Sequence, residues 1–378
     1  MVTSEQRPML RFLIVQTAAS VVGLQCWMIL FNNFAVEIAG LDGLQVGIIG
    51  SVREIPGFLA LLAVFVMLVI REHRLSALSI IFLGLGTALT GLLPSFSGLI
   101  ITTLIMSFGF HYYETTNQSL TLQYFSTATS PLIFGRLRSL AAATSIVVGL
   151  LLYLMGMVFS YKVMFLTIGG LVVTAGIWGL LQDPTHQQVA PQHRKMIFRR
   201  RYSLYYFLTF MAGARRQIFI AFSVYLLVKV FHFTVTEITL LFVVNNAINF
   251  VLSPAIGRAI VRFGERWILS IEYGGLIGVF LVYAFTDSKL LVIAMYILDH
   301  ILFNFAIAIR TYFQKVADPA DIAPSMAVGF TINHIAAVVM PAIGGALWMI
   351  DYRIPFVTGA LLSLVSLLAV QRIPRFPQ

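Results

Sequence analysis

The chain has 378 residues, of which 59% are hydrophobic and 11% are charged, whereas a soluble domain carries roughly 25% charged residues. Apolar runs of about 20 residues follow one another from end to end, each long enough to cross a hydrocarbon layer of about 30 Å, which excludes a water-soluble enzyme. The formal charge of +10 raises the question of nucleic acid or other acidic partners, but the basic residues gather in short connections beside the membrane surface. Cys26 is the single cysteine, so neither an intrachain disulfide nor a cysteine-based metal cluster is available.

Arg7 and Arg11 precede the first apolar run as in a signal peptide, but that run is longer than a typical h-region and has no convincing cleavage site, so an uncleaved first helix is expected. The runs predict twelve transmembrane spans, at 13–36, 44–70, 77–93, 99–125, 137–159, 163–181, 204–230, 236–256, 268–285, 290–313, 323–349 and 355–370. The fold class expected is therefore an all-α membrane protein. One long polar connection, 182–201, divides the chain into a six-span bundle at 1–181 and another at 202–378. It reads as a basic interdomain linker that meets anionic lipid rather than nucleic acid. Tyr124-Phe125 at the end of span four recurs as Tyr312-Phe313 at the end of span ten, the trace of an internal repeat.

With the N-terminus placed inside, seventeen Lys and Arg residues fall in cytoplasmic segments, among them Arg194 and Arg375. The outer loops hold four, Lys162, Lys229, Lys289 and Arg353. This bias places both termini in the cytoplasm, with a bacterial inner membrane as the expected location.

The stretch Gly257 to Arg266, GRAIVRFGER, follows span eight. It resembles the loop motif G-x-x-x-D-R-x-G-R-R of the major facilitator superfamily, with Gly257, Arg262, Gly264 and Arg266 matching. Val261 replaces the acidic residue and Glu265 one basic residue. The equivalent connection after span two keeps Arg71 and Arg74 but lacks the glycines. Glycine suits a tight turn here, and arginine can bond helix C-terminal carbonyls. PAIGGAL, Pro341 to Leu347, is similar to an antiporter motif of the same family but sits in span eleven instead of five, and reads first as small residues that let helices approach. The chain looks like a divergent member. The resemblance implies two six-helix bundles related by a pseudo-two-fold axis along the membrane normal, alternating access between them, and spans one, four, seven and ten lining a central cavity.

A charge near the bilayer centre costs roughly 2.5 to 3.5 kcal/mol on insertion scales, so unneeded ones should be rare. Span two carries Arg53 and Glu54, span four His111 and Glu114, span seven Arg215 and Arg216, and span ten Asp299, His300 and Arg310. His111, Glu114, Thr115 and Gln118 recur at helical spacing and share one face. Adjacent Arg53 and Glu54 point about 100° apart, so each is expected to pair with a different neighbour. Span seven has no acid of its own, so Arg215 and Arg216 need outside compensation, from a substrate anion, Glu114 or Asp299. Arg310 either binds substrate or snorkels to the cytoplasmic surface.

Glu114 is the first proton-coupling candidate, followed by Asp299 and Glu54, because a carboxyl in a low-dielectric cavity favours its protonated form and an approaching arginine reverses that preference. His111, His300 and His334 are possible relays, each otherwise a hydrogen-bonding helix contact. Gln25 and Asn32, Gln118, Asn245 and Asn333 can bond substrate or tie helices together. No nucleotide-binding loop, Rossmann fingerprint or zinc helix appears, and no cofactor is expected.

The four arginines within spans outnumber the acids Glu54, Glu114 and Asp299. The leading expectation is accordingly a proton-linked secondary transporter of a small anion, with substrate, protons and membrane lipids as partners. Efflux of amphiphilic drugs or lipids is a second reading, favoured by 31 Phe and 14 Met residues that make an adaptable apolar surface. A non-transporting sensor or assembly factor is a third. Reporter fusions at Asp287 and Gln378 should report opposite sides of the membrane; matching sidedness would overturn the twelve-span topology.

Overall fold

The computed structural model describes residues 2–185, 189–193 and 195–374; Arg194 and Arg375, counted above for topology, lie outside them. The described residues form helices without strands, and they fall into the twelve spans expected. Span one is Arg7–Glu37, three Glu72–Thr90, four Phe96–Tyr124, five Ser130–Gly156 and six Tyr161–Leu180. Span eight is Val235–Phe263, nine Glu265–Phe285, eleven Ile322–Ile350 and twelve Arg353–Val370. Ten helical stretches are long and apolar enough to cross a membrane.

Three spans are interrupted, which the apolar runs did not reveal. Span two is a helix at Gly43–Phe58, a 3-10 turn at Leu59–Leu62 and a short helix at Ala63–Val66. Pro56 lies within the helix just before the break, where it has no N–H to donate and crowds the preceding turn. Span seven runs Ser203–Ile218, then a π turn Phe219–Ser223, then Val224–Lys229. Span ten runs Lys289–Phe303, a 3-10 turn Asn304–Ala306, then Ile307–Val316.

The span starts carry recognisable caps. Asp42 accepts from the Gln45 N–H at 2.8 Å, while the Gln45 side chain accepts from the Asp42 N–H at 3.1 Å, a reciprocal capping box. Thr234 and Glu237 repeat the arrangement at span eight. Lys289 donates to Glu237 at 2.6 Å.

The chain divides into two compact units. Unit one comprises Met1–Ser126, Leu140–Ile197 and Asp318–Thr331, and unit two comprises Thr127–Ser139, Phe198–Ala317 and Ile332–Gln378. Compactness thus groups the first turns of span five with the later half of the chain, and those of span eleven with the earlier half. Inside unit two, Ser139 Oγ donates to the Phe250 carbonyl at 2.6 Å. Inside unit one, the linker lies on the start of span eleven: Gln192 accepts from the Ala323 N–H at 2.9 Å and donates to the Pro319 carbonyl at 2.8 Å. The neighbouring His193 ring bonds the buried Asp321 carboxylate at 2.8 Å.

Spans three, four and six pack closely where side chains are missing. A Cβ on Gly84 would lie 2.8 Å from the Gly169 carbonyl, and one on Gly169 would lie 2.6 Å from the Gly84 carbonyl. Gly109 faces the backbone of Leu83 and Ser79 just as tightly, whereas a Cβ on Gly149 would meet nothing within 4 Å. Small residues of this kind let helix backbones touch where no hydrophobic effect drives them together. Gly109→Val should therefore lower thermal stability in detergent by about 1–3 kcal/mol, the usual cost of overpacking, while Gly149→Val should melt with the wild type.

Candidate functional site

Within unit one, polar groups gather where span four passes the broken end of span two. Arg53 and Glu54 bond each other directly, at 3.1 Å from Nε and 2.7 Å from Nη2. The pairing is made within the helix rather than with the different neighbours each could have met, because both side chains are long enough to bend together. The Arg53 guanidinium also lies 5.7 Å from the Trp27 ring centroid, within cation–π range. Ser107 Oγ donates to the Arg53 carbonyl and lies 3.0 Å from His111 Nδ1. One turn on, Glu114 Oε2 accepts from Gln118 Nε2 at 3.0 Å. Glu114 is half-buried, whereas His111, Thr115 and Gln118 are buried.

The polar stripe expected on span four is broader than one face. Thr116, Asn117, Ser119 and Thr121 are buried as well. Thr115, Thr116 and Thr121 return their hydroxyls to carbonyls four residues back, at 2.8 to 3.0 Å, which satisfies them without a ligand. The backbone freed in span two is met by Thr331, whose hydroxyl accepts the Leu61 N–H at 2.8 Å. On span one, Gln25 is half-buried and Asn32 exposed.

Unit two contains a cluster of which sequence reasoning named Arg215 and Asp299 but missed Glu272. Arg215 is 3% exposed, as a buried residue on the last turn before the π segment of span seven. Its Nη2 stands 3.9 Å from Glu272 Oε1 on span nine, its guanidinium lies 4.3 Å from the Tyr273 ring centroid, and it donates to Ser366 on span twelve. Glu272 and Asp299 are each 2% exposed, and both interact electrostatically with Arg215. Compensation for Arg215 therefore comes from Glu272. Glu272 is a fourth mid-span acid beside Glu54, Glu114 and Asp299, which removes the excess of mid-span arginines read from the sequence.

Arg216 is exposed beside it, with its guanidinium 5.4 Å from the Phe303 ring. Arg310, half-buried, lies 5.8 Å from the Phe134 ring. His300 bonds the Tyr296 carbonyl at 3.0 Å and meets the Phe219 ring edge at 4.8 Å. At the break in span ten, Asn304 donates to Asn249 at 2.7 Å and accepts from Arg138 Nε at 2.9 Å. Asn245 is buried with neither side-chain atom bonded, while Asn333 donates to the Thr209 carbonyl at 3.2 Å and ties span eleven to span seven. His334 is buried.

The loop motif divides into two roles. Gly264 has φ +79° and ends span eight, a conformation glycine adopts without strain. Gly257 does not turn the chain: it lies inside span eight, and a Cβ there would strike the Pro131 carbonyl. Arg266 bonds the Gln371 side chain at 3.0 and 3.2 Å rather than a helix-end carbonyl, and Arg262 lies over the Phe263 ring at 5.2 Å. Glu265, the acid at a basic motif position, is buried against Lys315 at 2.8 Å. Arg71 pairs with Asp183 at 3.6 Å, both well exposed, and Arg74 is exposed. Thr185 hydrogen bonds hold the Asp183 carboxyl below its usual range.

Arg215→Gln leaves Glu272 buried and facing Asp299. Loss of one partner of a buried pair costs about 3–5 kcal/mol, so this variant should melt well below the wild type, and adding Glu272→Gln should recover most of the loss.

A search among curated proteins found no match. Solved structures share the fold at low identity. The human organic anion transporter MFSD10 superposes with a TM-score of 0.75 at 12% identity, covering 98% of this chain and 100% of that one. The E. coli fucose:proton symporter FucP gives a TM-score of 0.77 at 13% identity over 99% and 100%. A bacterial homologue of the iron transporter ferroportin gives 0.76 at 14% over 96% and 98%. The family model of the Major Facilitator Superfamily matches residues 13–333 and again 205–377. With most of its length matched and its helices arranged as in these transporters, the chain belongs to the Major Facilitator Superfamily, and is an integral membrane transporter of a solute rather than an enzyme.

Proposed function

We propose that the chain moves a small anion by alternating access with proton coupling, in a bacterial inner membrane with both termini cytoplasmic. The basic linker then faces anionic lipid. The observation that carries the anion reading is the exposure of Arg216 one turn before the π segment, next to Arg215, which is buried beside Glu272 inside unit two. A guanidinium presented beside an aromatic ring suits a carboxylate or phosphate-like group. Helix interruptions beside such groups are a recurrent way to build transporter sites. The human structure's description as an organic anion transporter and the bacterial one's as a proton symporter are said of those proteins; at their identities the fold alone is shared, and it accommodates both kinds of cargo.

Glu114 is the proposed gate for the coupling proton in unit one. It is half-buried, and Gln118 stands ready to bond its carboxylate. In proteoliposomes, Arg216→Gln should weaken anion binding, and a melting temperature equal to the wild type's separates that loss from a structural one. Glu114→Gln should retain exchange but lose accumulation driven by a pH gradient, since a group that cannot titrate cannot harvest it. Wild-type affinity in the first variant, or wild-type accumulation in the second, would remove that residue from its role.

A further inference from the structure

We propose that Arg138 of span five, oriented by Asn304 at the break of span ten, binds the oxyanion group of the transported solute. The inference deepens the anion reading above and rests on it. It adds an arginine that the apolar runs placed at the cytoplasmic edge of span five. The helix begins instead at Ser130, so Arg138 lies eight residues along it, about 12 Å from its first residue.

Depth is the first observation. Arg138 Nε donates to Asn304 Oδ1 at 2.9 Å, and Asn304 stands near the middle of the 28-residue span ten, 15 residues after Lys289 and 12 before Val316. His300, one turn away on the same span, also interacts electrostatically with Arg138. Arg138 is thus anchored at mid-span level, and it is exposed there. An arginine turned towards hydrocarbon at that level is costly, so exposed ones face water-filled space.

The second observation is the way Asn304 is committed. Its amide nitrogen donates to Asn249 Oδ1 at 2.7 Å and to the His300 carbonyl at 2.8 Å, which uses both amide protons and leaves Oδ1 to meet Arg138. Groups on spans eight and ten therefore fix the direction of that contact. A guanidinium held through Nε keeps one edge on the amide and turns its other edge, carried by the two Nη atoms, away from it. Such a planar fork matches two oxygens of a carboxylate or phosphate-like group. Asn304 carries no charge, so it orients Arg138 without neutralising it.

The charges on the spans that meet there also favour an anion. Span five contains no acidic residue, and spans eight and ten contain one each, Glu237 and Asp299. Glu237 lies twelve residues before Asn249 and is bonded to Lys289, while Asp299 is buried and interacts with Arg215. Arg310 brings a second guanidinium to within 5.8 Å of the Phe134 ring, and Phe134 lies one turn before Arg138 on the same face of span five. Basic groups gathered along one face set up a positive potential that draws an anion.

Thermal melts of the purified full chain with sulfate, phosphate and citrate, each against sodium chloride of equal ionic strength, test the site. At least one of the three should raise the wild-type melting temperature beyond chloride. Arg138→Gln should need about tenfold more of it for the same rise, the loss of a charge-assisted bidentate contact. Arg138→Lys should be weakened as well, because it keeps the charge but not the planar fork, and it decides the matter if Arg138→Gln does not fold. Asn304→Ala should weaken the response when Arg138 is present and change nothing further beside either Arg138 variant, since it acts through that arginine. A wild-type response in the Arg138 variants would overturn the site, and an equal effect of Asn304→Ala with and without Arg138 would overturn the positioning. Loss of the response in Arg216→Gln but not in Arg138→Gln would keep the anion reading and overturn this site alone. If none of the three anions exceeds chloride in the wild type, the anion reading falls and this inference with it.

Discussion

A peptide group that loses its helical partner inside hydrocarbon has no water to turn to, and each such loss costs several kcal/mol unless another group replaces it. This constraint gives meaning to the three interrupted spans. Thr331 meets the Leu61 N–H in span two, and Asn304 returns its own side chain to the His300 carbonyl at 2.8 Å in span ten. Ser223 does the same for the Phe219 carbonyl at 2.6 Å in span seven. A side chain placed to meet a freed carbonyl or N–H also holds a local bend in one arrangement. The charged residues sit close to these bends: Arg53 and Glu54 before Pro56, Arg215 and Arg216 before the π turn, Asp299 and His300 before the 3-10 turn. A bend and a charge placed together couple the direction of a helix to the electrostatics around it.

Span positions were legible in the sequence because crossing hydrocarbon requires an uninterrupted apolar run of a set length. Even so, span eight reaches Phe263, further than its apolar run suggested. Its last two turns carry Arg258 and Arg262, and its end is set by Gly264 rather than by hydropathy. Pro56 carried a local signal for the break in span two, but the π turn in span seven has no proline or glycine within it. Its position follows from packing, with Phe219 pressed against Tyr296 and His300, and packing between distant spans is not written in local composition.

The site was less legible for a related reason. Glu272 is a lone acid in an otherwise apolar span, and its significance appears only when folding brings it to Arg215. The missing acid on span seven was read as a demand for compensation from a substrate anion, Glu114 or Asp299, and Glu272 was not among the partners considered. Gly257 shows the converse error. Its place in a motif suggested a turn, while its neighbour across the helix contact, Pro131, makes it a packing residue. Motif position and physical role separate when the surrounding helix extends through the motif.

The two polar clusters differ in a way that bears on their chemistry. In unit one, Arg53 and Glu54 are about 30% exposed as side chains and bond each other at 2.7 Å, so their charges cancel locally and water or lipid headgroups can relax around them. Glu114 beside them is half-buried and has an amide partner. In unit two, Arg215 and Glu272 are sealed at 3% exposure and stand 3.9 Å apart, beyond hydrogen-bond reach, with Asp299 as a third buried ionisable group. An exposed pair is worth little and costs little to break. A sealed triad of ionisable groups cannot be indifferent to its neighbours, because in a low dielectric each change in one group alters the others. The sealed cluster is therefore the better place to convert the arrival of one charge into a change of helix direction, and the open one is better suited to meeting solutes and protons that come and go.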